Sequence, residues 1–109
     1  MDCVFCKISQ GMIPARKEYE DEDIVGFWDI KPSAPVHIVF VPKKHIASLG
    51  EVAASDQDLL GKLQLVMRNV AVKLKISEAY KIFINNGRFQ EVPHLHYHLL
   101  GGFDEKGGI

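Results

Sequence analysis

The chain has little of what membrane, secreted and nucleic-acid-binding proteins need. No apolar run approaches the ~20 residues that span a bilayer, so a membrane protein is not expected. The opening, from Met1 to Ile13, mixes charge with polarity and lacks the apolar stretch of a signal peptide. Only two cysteines are present, Cys3 and Cys6, too few for a secreted scaffold held by disulfides. A formal net charge of −1 gives no field to draw the chain to nucleic acid. A cytoplasmic location is the expectation. Repeats, low-complexity segments and internal linkers are also missing, and 109 residues suffice for a single domain with one modest core. A small anionic substrate stays open, since a local site can be rich in donors whatever the net charge.

What is present is histidine in an ordered pattern. The run His94-Leu95-His96-Tyr97-His98-Leu99-Leu100 alternates imidazole with apolar groups. On a strand, successive side chains point to opposite faces. His94, His96 and His98 then share one face, and Leu95, Tyr97 and Leu99 pack behind them. A helix would scatter the three rings. Imidazole can act as nucleophile, acid, base or metal ligand near neutral pH, so a face lined this way points to chemistry.

The rest of the chain supplies a scaffold. Residues 1–13 read as a short helical turn that Gly11 ends. Residues 16–21 and 24–29 read as strands around an acidic turn, Glu20 to Asp23, and Pro32 and Pro35 hold the next stretch as a loop. Val36 to Val41 is apolar on nearly every side, like a central strand covered on both faces; His37 interrupts it and Pro42 ends it. Residues 55–75 form the one long helix, opened by a Ser55-x-x-Asp58 capping box. Leu59, Leu60, Leu63, Val66, Met67, Val70, Ala71 and Leu74 give it an apolar stripe. Tyr80 to Asn85 is the next strand, Asn86-Gly87 a turn with Gly87 at positive φ, and 86–93 a loop leading into the histidines. The end, from Gly101 and Gly102 onward, reads as flexible, with 103–109 as tail. The sum is an α+β fold: a five-stranded antiparallel sheet, one long helix and a short N-terminal helix.

Two uses for histidine compete. Cys3-x-x-Cys6 has the spacing of a zinc knuckle and lacks a second pair, so histidines or carboxylates would complete the site; a redox pair and inert structural cysteines are the other readings. Alternatively His96 and His98, with His37, form an active site. A histidine nucleophile needs one ring nitrogen bare and the other donating a hydrogen bond that fixes the tautomer. Phosphorus suits it as electrophile, with the developing charge met by nearby donors such as Asn85, His98 and the amides beyond Gly87.

The pattern His-x-His-x-His resembles the histidine-triad (HIT) family. The likeness runs through Cys3-Val4-Phe5-Cys6-Lys7-Ile8, Ile13-Pro14, the blocks from Asp29 to His37 and from Pro42 to His45, Asn85-Asn86-Gly87 and the triad. The branch it resembles is that of the Hint-like nucleotide-binding proteins. The resemblance implies nucleotidyl transfer to water: His96 as nucleophile, His98 and His37 around the phosphate, and the backbone carbonyl of His94 orienting the nucleophilic ring. It implies Asn85 near the phosphate, Gln90 among the substrate-binding residues and Asp29 on the ribose hydroxyls, although a plain loop cap explains Asp29 equally. Val4, Phe5, Ile8, Ile13, Phe27 and Ile30 would wall a purine pocket. Many bacterial members hold structural zinc through the positions of Cys3, Cys6, His45 and His94, and the family pairs as a homodimer. The implied substrate is a purine nucleoside phosphoramidate; the alternatives are a dinucleoside polyphosphate hydrolase and a nucleotide-binding regulatory protein with incidental catalysis. The chain departs from the family's pattern at a shortened loop, Gly87 to His94, where Phe89 replaces a glycine and Glu91 a serine, and at its C-terminal end.

Overall fold

The computed structural model describes residues 3–103. Its elements are α1 (Val4–Ser9), β1 (Lys17–Glu20), β2 (Ile24–Trp28), β3 (Val36–Pro42), α2 (Gln57–Lys73), β4 (Tyr80–Ile84) and β5 (Tyr97–Gly101). The strands form one antiparallel sheet in the order β1-β2-β3-β5-β4. The expected α+β architecture is the one observed.

Central position explains the composition of β3. It lies between β2 and β5, and every residue from His37 to Pro42 is buried, because both faces of the sheet are covered. On one face Ile24, Ile38, Phe40, Leu95, Tyr97 and Leu99 meet the α2 stripe of Leu63, Val66, Met67, Val70 and Ala71. On the other, Val25, Phe27, Val39 and Val41 pack beneath Phe5, Ile8 and Cys3 of the N-terminal segment. The period of two along each strand separates these cores, and the histidines fall on the α1 side.

The long helix is shorter at both ends than the pattern predicts. A 3-10 turn, Ala54–Asp56, precedes it, and its N-cap is Asp56. The Ser55-x-x-Asp58 box does not form the start. Instead the buried Asp56 carboxylate accepts from the Ala53 N–H at 2.9 Å and from Lys44 Nζ at 2.6 Å. At the far end Lys75 turns left-handed at φ 62° and the Ile76 N–H reaches back to the Ala71 carbonyl at 2.9 Å, closing the helix as a C-terminal cap does.

Two further expectations are corrected. The histidine strand begins at Tyr97 rather than His94. The His94 N–H bonds the Val92 carbonyl and the Leu95 N–H bonds the Ile46 carbonyl, at 2.8 and 2.7 Å, so residues 92–95 follow a turn and a neighbouring loop instead of the sheet ladder. Gly101, expected in the flexible end, is buried in β5 between Val36 and Tyr80. A Cβ there would stand 2.5 Å from Ile76 Cδ1, so glycine lets the segment after α2 lie on the sheet. The expected tail lies, apart from Phe103, outside the described residues.

Candidate active site and metal centre

All five histidines gather on one side of the sheet, four of them in two clusters. Cys3, Cys6, His45 and His94 bring one ligand atom each within 4.8 Å of one another, and Asp29, His37 and His98 do the same a short way along. His96 stands between them. Phe5 of α1 is the hinge: its ring meets His94 edge-on at 5.9 Å and His96 at 5.1 Å.

In the first cluster the His94 proton points outward. His94 Nε2 lies 2.8 Å from the Pro42 carbonyl. A carbonyl only accepts, so Nε2 carries the hydrogen and Nδ1 turns its lone pair inward. His94 Nδ1 lies 3.1 Å from His45 Nδ1 and 3.3 Å from Cys3 Sγ, while Cys6 Sγ lies 3.3 Å from His45 Nδ1 and 3.6 Å from His94 Nδ1. A tetrahedral ion with metal–nitrogen bonds of about 2.0–2.1 Å and metal–sulfur bonds of about 2.3 Å has N···N edges near ~3.4 Å and S···N edges near ~3.6 Å. The four residues therefore lie close enough to hold a metal ion, and their chemistry fits. Burial, then the neighbouring Cys3, pushes the Cys6 thiol pKa up, so a bound cation would have to displace a proton there. Burial likewise pushes His94 down against the pull of the Pro42 carbonyl, favouring the neutral ring a ligand must be.

The second cluster has a proton inside it. The Ser33 N–H donates to His37 Nδ1 at 3.0 Å, so a neutral His37 carries its hydrogen on Nε2. That atom lies 2.9 Å from His98 Nδ1 and 3.5 Å from Asp29 Oδ2. The space a cation would need is taken by a hydrogen bond. Burial lowers the pKa of His37, opposed by Asp29. Burial first, then His96 and His37, pushes His98 down to about 4. Both rings are neutral near pH 7.

His96 is the third case. Its Nδ1 lies 2.7 Å from the His94 backbone carbonyl, so Nδ1 bears the hydrogen and Nε2 is left bare. The residue is only 5% exposed, and Phe5 and His98, each with its ring centroid 5.1 Å away, hold the ring in place. The arrangement offers an aimed lone pair beside neutral donors. His94 thus makes two connections, its side chain in the cluster with Cys3, Cys6 and His45 and its carbonyl on His96.

The remaining expected residues divide. Phe5, Ile8 and Phe27 are buried in the apolar cluster beside the histidines, and Ile13 packs against it. Val4 is 42% exposed and Ile30, at 92%, stands clear of that cluster. Asp29 faces His37 and also accepts from the Lys31 N–H at 2.8 Å. Asn85 is half-buried just after β4, whose Ile84 pairs with Tyr97. Gln90 spends its amide on the loop: it accepts from the Gly87 N–H and donates to the Ala47 carbonyl, both at 2.9 Å, and to Val92 at 3.3 Å. Gly87 has the expected positive φ, 71°.

Two contributors were missed in the sequence. Phe83, 39% exposed, stacks on His98 with centroids 4.5 Å apart and planes at 15°; the pairing of β4 with β5 predicts that neighbour once the register is known. The Ser33 amide left no signal, since a backbone N–H has none. A concavity of about 470 Å³ lies elsewhere, lined by residues of α2 and the segment before it, including Ala53, Gln57 and Gln64. It holds no titratable group, so side-chain geometry rather than cavity size locates the chemistry.

Comparison with known proteins agrees with this geometry. A family model described as "Scavenger mRNA decapping enzyme C-term binding" matches residues 2–108. Protein HitA of Neisseria gonorrhoeae is 43% identical over 102 residues, covering 92% of this chain and 95% of its own. The chain belongs to the histidine-triad family. Among solved structures, a HIT family hydrolase from Legionella pneumophila Philadelphia 1 superposes with a TM-score of 0.91 at 43% identity, covering 93% of each chain. A histidine triad nucleotide-binding protein from Candida albicans gives 0.87 at 35% identity, over 99% of this chain and 80% of that one.

Proposed function

We propose that this protein is a nucleotidyl hydrolase that works through a covalent intermediate on His96, with a purine nucleoside phosphoramidate as substrate. The observation that carries the reading is the 2.7 Å bond from His96 Nδ1 to the His94 carbonyl, which leaves Nε2 as an aimed nucleophile. Supporting it are the family and the neighbours described as a hydrolase and a nucleotide-binding protein.

Nε2 attacks phosphorus. The new P–N bond forms as the bond to the leaving amine breaks, and the departing electron pair takes up a proton from solvent. The ring becomes cationic, and the His94 carbonyl faces the N–H that shares that charge. Water then attacks the same phosphorus, its proton leaves to solvent, and the P–N bond to His96 breaks to release nucleoside monophosphate. In this reading His98 and Asn85 donate to phosphate oxygens. Phe5, Ile8, Ile13 and Phe27 form the apolar floor for a purine, and Asp29 offers a carboxylate to the ribose hydroxyls. Zinc at Cys3, Cys6, His45 and His94 would be structural, with four protein ligands.

The chain is also proposed to act as a homodimer. β4 is an edge strand that exposes Ile82 at 38% and Phe83 at 39%, while α2 exposes Leu65 at 54% and Val72 at 58%. An apolar open edge invites a second copy. Side-by-side assays with an adenosine or guanosine phosphoramidate and with a dinucleoside polyphosphate test the substrate class. Faster turnover of the phosphoramidate is expected; preference for the polyphosphate would reassign it, and turnover of neither would overturn the reading.

A further inference from the structure

We propose that the backbone N–H of Ser33 is a positioning group for the active site: acting through His37, it fixes which nitrogen of His98 carries the proton. The chain of bonds is directional. Ser33 N–H can only donate, so His37 Nδ1, 3.0 Å away, must accept. The His37 hydrogen is then on Nε2, 2.9 Å from His98 Nδ1. Two hydrogens cannot share that gap, so His98 Nδ1 is bare and its Nε2 carries the hydrogen. His98 thereby presents a permanent donor beside His96, whose ring centroid is 5.1 Å away.

The surroundings hold each link. Asp29 Oδ2 lies 3.5 Å from His37 Nε2, where a carboxylate favours the N–H. Asp29 is itself fixed: its N–H bonds the His37 carbonyl at 2.9 Å and its Oδ1 accepts from Lys31 N–H at 2.8 Å. Pro32 and Pro35 flank the segment that presents the Ser33 amide, restricting its backbone. His37 is 4% exposed, so water cannot readily replace the amide. Phe83, stacked on His98, holds the plane of the last ring. The serine side chain has no part in this, so the position reads as an ordinary loop residue.

The functional half of this inference rests on His96 being the nucleophile; the tautomers do not. Long-range proton–nitrogen correlation spectra of the full chain, labelled with nitrogen-15, read both. In the unaltered protein near pH 7, His37 and His98 are each expected with the hydrogen on Nε2 and His96 with it on Nδ1. A hydrogen on Nδ1 of His37 or His98 would overturn the proposal, whether or not any variant folds. Ser33→Ala keeps the amide and should leave tautomers and kcat unchanged. Ser33→Pro removes it and should give mixed tautomers at His37 and His98 and lower kcat about a hundredfold, the scale of losing one preorganised donor, with little change in KM. Unchanged tautomers in Ser33→Pro, or altered tautomers with unchanged kcat, would end the positioning role. Expected tautomers in a protein that turns over no phosphoramidate would instead retire the proposed reaction and leave the relay standing.

Discussion

The two histidine clusters each hold two imidazoles, one beside two thiols and the other beside a carboxylate, and their backbone partners set the rings in opposite ways. Around His94 the hydrogen is drawn outward, to the Pro42 carbonyl, and the ligand atoms of Cys3, Cys6, His45 and His94 converge. Around His37 and His98 the hydrogen is directed inward by the Ser33 amide. Spacing alone admits a cation at either. Backbone donors and acceptors decide between them, because imidazole adopts whichever tautomer its neighbours demand. His94 joins the two regions, offering its ring to one and its carbonyl to the other.

The sharpest way to break the contrast is at His96. His96→Ala removes the proposed nucleophile and should cut turnover by at least about a thousandfold, on the scale seen when a covalent catalytic residue is lost. Binding of nucleoside monophosphate, measured by calorimetry, should survive. A near-normal rate would assign the nucleophile elsewhere. Next comes the metal-ligating cluster. Replacing Cys3 and Cys6 with Ser should abolish metal content, read by elemental mass spectrometry, and lower Tm by about 10 °C or more, since a loss of ~2 kcal/mol in a chain of this size has that effect. The loss of kcat should be much smaller than for His96→Ala. Absence of metal from protein purified without chelator would contradict the assignment.

A smaller effect should appear in the dependence of stability on pH. Burial holds His98 down to about 4 and lowers His37, below the ordinary histidine value near ~6.5. The unfolded chain binds a proton that the folded chain refuses, so stability is full above about 6.5 and falls as pH drops toward about 4. Urea titrations across that window should show the decline, and His98→Asn should flatten it. An unchanged slope would mean that His98 is not the group. Asp21 belongs to a lower window. Burial works to raise it, and hydrogen bonds from Tyr19, the Asp23 and Ile24 amides and Lys62 outweigh that, leaving it at about 2. Its contribution is present above its unfolded value near ~3.9 and lost below it. The smallest effect expected is from Phe83→Leu, which removes the stack on His98 and should cost about 1 kcal/mol or less in nucleotide affinity or stability.

Much of this was legible in the residues. Alternation along the triad placed Leu95, Tyr97 and Leu99 in the α2 core and the imidazoles opposite, and the apolar run at Val36 marked the central strand. Periodicity reports faces, so these readings hold even though β5 starts later than the pattern predicts. What periodicity cannot report is the hydrogen-bonding partner of a backbone group. The turn that removes His94 from the ladder, the Asp56 carboxylate on the Ala53 amide and the Ser33 amide on His37 join residues two to four apart, through backbone geometry that side-chain alternation does not encode. The burial of Gly101 has a long-range cause, Ile76 of the segment after α2 packed on the sheet. The resemblance already divided the histidines, His94 with the cysteines and His37 with the phosphate; the structure adds the backbone partners of each, the Pro42 carbonyl and the Ser33 amide.

The central claim is that Nε2 of His96 forms a bond to phosphorus. Rapid acid-free quenching during turnover, followed by peptide mapping, tests it directly. A nucleoside monophosphate adduct on His96, formed and discharged at rates that match turnover, is the expected result. An adduct on another residue, or full turnover with no adduct on any histidine, would contradict it.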